Sequence, residues 1–254
     1  MRIAVAGGTG WIGRRVVDSV RARGHEPVVI ARSRGVDLIR GTGLDEALTD
    51  VAAVIDVTNR STISRKRSVN FFGTVTGNLL AAGRRAGVRH HVALSVVGVD
   101  RVGFGYYAGK RRQEELVLDG RVPATVLRST QFHEFAAQRA AYRGPIVAVP
   151  QVLSQPIAAH EVARCLVDLA VAEPAGLVPD IAGPQQLRMP DMARRLLRFR
   201  GSHRVVLPVR LPGATGRAMA GGALLPTGPG PRGMQTFDQW LASPAARSTT
   251  RKVR

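Results

Sequence analysis

The residues best suited to chemistry come early, in Gly7-Gly8-Thr9-Gly10-Trp11-Ile12-Gly13, a G-x-x-G-x-x-G spacing between an apolar run and an amphipathic one. Such a loop is built to receive an anion. Gly7 permits a tight turn out of a strand, Gly10 lets a pyrophosphate approach the backbone, and Gly13 lets the next helix pack closely on that strand. The helix start then offers N–H groups and a partial positive charge. The strand–loop–helix context predicts a dinucleotide site; a merely structural turn is the competing reading. Further along, Arg32-Ser33-Arg34 stands where an Asp or Glu would take the ribose hydroxyls of NAD. A guanidinium with a neighbouring hydroxyl suits a 2′-phosphate, so NADP(H) is preferred, with NAD(H) the alternative. Asp37 follows, too late for the ribose role, and Arg32 also has the plainer reading of one Arg among many.

Gln131-Phe132-His133-Glu134-Phe135 is the other cluster with chemical types in it. It follows an apolar run, and strand C-termini of an open parallel sheet line the ligand crevice. Phe132 and Phe135 are candidate walls for a flat substrate, with His133 a polar contact or, beside Glu134, a general acid. The plainer alternative is a helix start with Phe packed in the core. His90-His91 begin a strand without a ligand set, Cys165 is alone, and no His-x-x-x-His pattern occurs, so no metal site is expected.

The elements that must position these groups read as alternating strands and helices, the pattern of a parallel βαβ sheet. Strand candidates are 2–7, 26–32, a weaker 36–41, 52–58, 90–98 and 124–130, all six assigned to one parallel sheet. Helices are expected at 14–23, 44–50, 70–86 and 107–118. Beyond residue 130 the pattern loosens to a strand at 146–150, helices at 160–172 and 190–199, a Pro/Gly-rich stretch over 208–233, and a last helix at 236–242 docked by Phe237 and Trp240. The organisation expected is a core at 1–130, a dependent substrate-side lobe at 131–246 and a basic tail at 247–254.

Composition narrows the setting. In 254 residues, 44% are apolar, enough for a core, and no apolar stretch approaches the ~20 residues of a spanning helix. The opening residues do not read as a signal peptide, and one cysteine suits a reducing, cytoplasmic setting. The net charge is +19, from 37 basic and 18 acidic residues. Taken alone it points to nucleic acid. The arginines are scattered, however, and lysine occurs only at 66, 110 and 252, which argues for a general surface charge and against specific nucleic-acid binding.

The loop GGTGWIG, the runs VIDVTN (54–59), VNFFGTVTGNLLAAGRRAGVRHHVALSVVG (69–98) and YYAGK (106–110), and the segments LRSTQFHEF (127–135) and QTFDQWLA together resemble the short-chain dehydrogenase/reductase superfamily, in its atypical NmrA-like branch. The resemblance covers nearly the whole chain and is densest over 1–135. It implies a Rossmann-type doubly wound α/β fold with a small C-terminal substrate lobe. Its Tyr-x-x-x-Lys falls on Tyr106 and Lys110, one helical turn apart on one face. In that scheme Lys110 lowers the phenol's pKa and anchors the nicotinamide ribose, and Tyr106 donates the proton. The superfamily Ser falls on Ser95 and its Asn on Asn70, and Thr58 joins the cofactor set of Gly7, Thr9, Gly10, Trp11, Ile12, Gly13, Arg32, Ser33 and Lys110. The Ser95 to Tyr106 separation is short for the superfamily, Gly103 and Gly105 intervene, and Tyr107 is the alternative phenol. Packing alone is the other reading for both tyrosines, and a plain strand-end place the other reading for Ser95.

The expected function is therefore an NADP(H)-dependent oxidoreductase acting on a small carbonyl or quinone-like substrate. The alternative, which the same branch includes, is a non-catalytic NADP(H)-binding sensor. Partners are expected to be a small-molecule substrate, with no specific nucleic acid, no membrane, and a homodimer left open.

Overall fold

Val, Ile and Ala dominate the central strands of the first half because those strands are buried on both faces. The computed structural model describes residues 1–136, 144–244 and 246. The basic segment 247–254 lies outside the described residues. β1 (Arg2–Ala6), β2 (Glu26–Ile30), β3 (Val51–Asp56), β4 (His90–Val96) and β5 (Ala124–Ser129) belong to a six-stranded sheet completed by a two-residue strand further along the chain. The order is β2-β1-β3-β4-β5 and then that last strand, with parallel pairing in a Rossmann-type arrangement. The chain goes one way from β1 to β2 and the other way from β3 onward. The carboxyl ends of β1 and β3 therefore flank the switch point, where open α/β sheets bind ligands.

Helices α1 (Trp11–Ala22), α2 (Leu44–Ala47), α3 (Arg65–Arg85) and α4 (Gly105–Leu118) connect these strands. Leu44, Leu48, Val75, Leu79 and Ala82 cluster with Ala4, Ala6, Ile30 and Val54 on one face of the sheet. α1 packs against α5 (Ala159–Val171), which also contacts β3 and β4. α1 begins at Trp11, three residues before the start read from sequence, so the end of the glycine motif is already helical. α3 begins at Arg65 and not Asn70, because the Ser64 hydroxyl caps it by accepting the Arg67 N–H at 3.4 Å.

The strand expected at 36–41 does not form. Asp37 Oδ1 accepts the N–H groups of Ile39 (2.8 Å) and Arg40 (3.3 Å), which winds the segment into a turn closed by one bridge between Asp37 and Thr42. The sixth strand is Gly176–Leu177, too short to give a periodic signal.

Packing divides the chain into two units, residues 1–128 with 159–179 and residues 129–158 with 180–254. The sequence reading draws one boundary near 130, whereas α5 packs with the first unit. In the second, β6 (Ile146–Pro150) pairs with the later β10 (Val205–Val209) in parallel, and β7 (Leu153–Ser154) pairs with β9 (Leu187–Arg188) antiparallel, the Gly176–Leu177 strand being β8. α6 (Met189–Phe199), α7 (Gly213–Ala220) and α8 (Phe237–Ala242) complete it. Among the described residues no helix is long and apolar enough to cross a membrane, and no group of three or more His, Cys, Asp or Glu could hold a metal ion.

At Gly109 α4 lies directly against α3. A Cβ there would overlap Ser68 Oγ and come within 2.6 Å of Phe72 Cδ2 and 2.8 Å of the Ser68 carbonyl carbon. Helix propensity favours Gly109→Ala by about 1 kcal/mol. Overpacking costs about 1–3 kcal/mol, and we expect it to win because one of the obstacles is backbone. Denaturant unfolding of Gly109→Ala should show a net loss of stability; a gain would mean that the two helices part freely.

Candidate functional site

The glycine loop is set by backbone crowding. Gly7 has φ +79°, and a Cβ on it would stand 3.2 Å from both Thr58 Cα and Val57 O. β1 thus turns directly onto the segment that leaves β3. A Cβ on Gly13 would overlap Gly7 O and lie 2.8 Å from Gly8 Cα. Gly10 is different. It is exposed, caps α1 with φ −68° and ψ 175°, and a Cβ there would meet only Gly7 O, at 3.0 Å. The loop itself crowds Gly10 less than it crowds Gly13, and the exposed position is open to a close approach by a ligand.

The start of α1 has no side-chain cap and no acidic residue in its first turn. That combination favours an anion. Arg14 Nη1 donates to Thr9 O at 2.6 Å, bracing the loop, and the Arg15 guanidinium lies 4.2 Å from the Trp11 ring centroid. Arg32-Ser33-Arg34 forms an exposed 3-10 turn immediately after β2, next to β1 in the sheet. Asp37 is held in its own turn, and those two backbone N–H groups lower its pKa.

Lys110 is the centre of a buried polar network. It is 4% exposed, and its Nζ donates to Gln113 Oε1 (2.8 Å), Leu94 O (2.9 Å) and, more weakly, Thr58 O (3.4 Å). Gln113 Nε2 donates to Asp56 Oδ2 at 2.7 Å, and Asp56 Oδ1 accepts the Thr58 N–H at 2.9 Å. Burial pulls the Lys110 pKa down to about 8, against the opposing pull of Asp56 and Glu114. The ammonium also lies 4.6 Å from the Phe72 ring centroid. Asp56 and Gln113 were not singled out from sequence. The signals were an acid ending an apolar strand and a Gln one turn beyond Lys110 on the same helix face.

Tyr106 is half-buried, with its ring edge-on to Phe72 (6.0 Å between centroids) and to Tyr107 (5.7 Å). Burial, and then Tyr107, push its pKa up. The expected acidification by Lys110 is therefore not found: the lysine's donors are directed at Gln113 and two carbonyls. The Thr58 and Ser95 hydroxyls are buried and have no hydrogen-bond partner among the described residues. Both follow or end strands at the carboxyl edge of the sheet, and both are fit to bond a ligand there. Asn70 is exposed on α3, and no described hydrogen bond ties it to Ser95, Tyr106 or Lys110.

In the second unit His133 and Glu134 are buried and hold the last helix. His133 Nε2 pairs with Gln235 O at 3.0 Å, and its ring packs 5.7 Å from Phe237 and 5.9 Å from Trp240. Glu134 Oε1 accepts the Trp240 indole N–H at 3.2 Å. Phe132 bridges to Ile157, and both Phe132 and Phe135 are half-buried.

An uncapped helix start above a glycine turn, at the switch point of a parallel sheet, defines a Rossmann-type dinucleotide fold. Comparisons with known proteins agree on that fold. The structure resembles MoeE5 in complex with UDP-glucose and NAD (TM-score 0.74, 18% identity, 99% of each chain covered). It also resembles the Citrobacter sp. triphenylmethane reductase complexed with NADP(H) (0.65, 16%, 88% of this chain and 90% of that one). A third likeness is to RMD from Pseudomonas aeruginosa complexed with NADPH (0.69, 16%, 98% of each).

Among curated proteins, the chain is 33% identical over 145 residues to a (4-alkanoyl-5-oxo-2,5-dihydrofuran-3-yl)methyl phosphate reductase of Streptomyces griseus subsp. griseus, covering 51% of this chain and 48% of that protein. It is 33% identical over 113 residues to the photosystem II assembly factor Ycf39 of Synechocystis sp., covering 38% and 34%. The chain thus aligns with less than half the length of these curated relatives. No family model matches it. The comparisons show the Rossmann-type fold, which is the fold that the resemblance read from the sequence implies.

Proposed function

We propose that this protein is an NADP(H)-dependent oxidoreductase that reduces a small carbonyl or quinone-like acceptor. The observation that carries the reading is the open Gly10 position at the uncapped start of α1, one strand away from the exposed Arg32-Ser33-Arg34 turn. The glycine loop would hold the pyrophosphate, and the arginine turn the 2′-phosphate. The reductase from Streptomyces and the NADP(H)-bound triphenylmethane reductase support the direction of the chemistry. When bound, the reduced nicotinamide supplies a hydride. The chain's own work is to orient it and to manage the proton. The unpartnered hydroxyls of Thr58 and Ser95 are the donors assigned to the ligand at the sheet edge. Tyr106 is assigned the proton donor's part.

The decisive experiment measures NADPH binding and then NADPH oxidation against a panel of quinones, ketones and aldehydes. Turnover with one of these acceptors is the expected result. Binding without turnover on any acceptor would replace the enzyme with a redox sensor. Absence of binding to either nicotinamide cofactor would end the proposal.

Cofactor choice gives a second test. Arg32→Ala should weaken NADPH binding by about 1–3 kcal/mol, the scale of one lost charge-assisted hydrogen bond, and leave NADH binding nearly unchanged. Calorimetric titration of both cofactors checks it. Equal losses would show that Arg32 does not read the 2′-phosphate.

A further inference from the structure

The proposed chemistry leaves unused the best-connected polar group in the first unit, the buried chain from Asp56 through Gln113 to Lys110. We propose that Asp56 and Gln113 are positioning residues that hold a protonated Lys110 across the carboxyl ends of β3 and β4, and that this strut fixes the Thr58 seat of the glycine loop and so sets dinucleotide affinity. The inference rests on the cofactor reading above.

The geometry is specific about direction. Gln113 can serve both neighbours only one way round, with its oxygen toward the ammonium and its nitrogen toward the carboxylate. Flipped, it would set N–H against N–H and oxygen against oxygen. Asp56 and Lys110 also grip residue 58 from both sides. The carboxylate takes the Thr58 N–H at 2.9 Å, and the ammonium approaches the Thr58 carbonyl at 3.4 Å. Gly7 rests on that same residue, with its absent Cβ 3.2 Å from Thr58 Cα. Movement at Thr58 is therefore felt at the turn that leads to Gly10. Loss of the Lys110 proton leaves two N–H groups for three acceptors. The contact released would be the longest, to Thr58.

Several groups face this lysine. Asp56 comes from β3 and Phe72 from α3. On its own helix, Glu114 raises its pKa while being bound by Arg128 of β5, at 2.7 and 2.9 Å. His91 of β4 feels Asp56 as well, but burial keeps its pKa low, so it stays neutral across the alkaline range. Tyr106 and Tyr107 precede Lys110 by one turn, and the Tyr106 phenol is held neutral by its raised pKa.

The test is NADPH affinity as a function of pH, by calorimetry on the whole protein from pH 6.5 to 10. Lys110 is charged below about 8, so wild-type affinity should be level up to about pH 7.5 and weaken as pH rises through about 8. The drop should be about five- to tenfold, the scale of one ordinary hydrogen bond, since the contact released is the long one to Thr58. Asp56→Asn can keep an acceptor for Thr58, but it removes the charge that supports the ammonium and sets an amide N–H against Gln113 Nε2; both changes disfavour the charged lysine, so the same drop should move to lower pH. Lys110→Met keeps the apolar stem over Phe72 and should abolish the step, with the weak alkaline affinity at every pH. A role in packing alone would lower affinity without moving the midpoint. If Lys110→Met does not fold, the wild-type and Asp56→Asn profiles still decide. A level wild-type profile, or a step that persists in Lys110→Met, overturns the strut while leaving the cofactor reading intact. No binding at any pH removes both.

Discussion

Gly10→Val should yield a folded protein that no longer binds NADPH or NADH. The fold survives because residue 10 is exposed, has an ordinary φ of −68°, and offers a Cβ only one close neighbour, Gly7 O at 3.0 Å. Binding should fail because the added Cβ and two methyls would fill the space above the first N–H groups of α1, where the proposed cofactor's pyrophosphate would sit. Losing two or more charge-assisted hydrogen bonds, each worth about 1.5–3 kcal/mol, weakens the complex by at least about 100-fold. Thermal unfolding and calorimetric titration of the variant separate the two effects. Gly13→Val is the contrast. Its Cβ would overlap Gly7 O, so it should damage the loop and the stability together. Wild-type affinity in folded Gly10→Val would place the phosphate site elsewhere.

Tyr106→Phe should lower turnover by about 10²–10⁴, the usual worth of a general acid, while NADPH affinity stays near wild type. The ring contacts with Phe72 and Tyr107 are kept, so the loss reports the hydroxyl. The pH dependence follows from the raised phenol pKa: Tyr106 stays protonated throughout the working range, and no alkaline loss of turnover should trace to its ionisation. An alkaline limb near pH 8 belongs instead to Lys110 and should persist in the residual activity of Tyr106→Phe. Full activity in Tyr106→Phe with Tyr107→Phe inactive would mean that the donor is Tyr107. Full activity in both single variants and the double variant would mean that the acceptor takes hydride without a protein acid, as an electron-poor quinone can.

The parallel core was legible in the sequence because its signals are local. Five apolar runs and the strand–loop–helix context of the glycine loop are readable within a few residues, and the five strands form where those runs lie. The docking of the last helix by Phe237 and Trp240 was legible for the same reason, as two large apolar side chains on one short amphipathic segment. Residues 36–41 form a turn in place of the expected strand because one Asp side chain outcompetes a weak strand pattern for the backbone N–H groups.

What only the tertiary structure decided is the company each polar group keeps. The sequence placed Lys110 beside Tyr106 on one helix face and implied an acidified phenol. The fold instead brings Gln113, Leu94 and Thr58 to that ammonium and leaves Tyr106 shifted the other way by burial. His133 offered a candidate acid and is found bonded to Gln235, a partner 102 residues away. Asp56 and Gln113 stand 57 residues apart. No local pattern encodes such pairings. A buried polar group takes whichever partner the packing of distant elements delivers within bonding distance, because leaving it unpaired costs more than most alternative contacts gain.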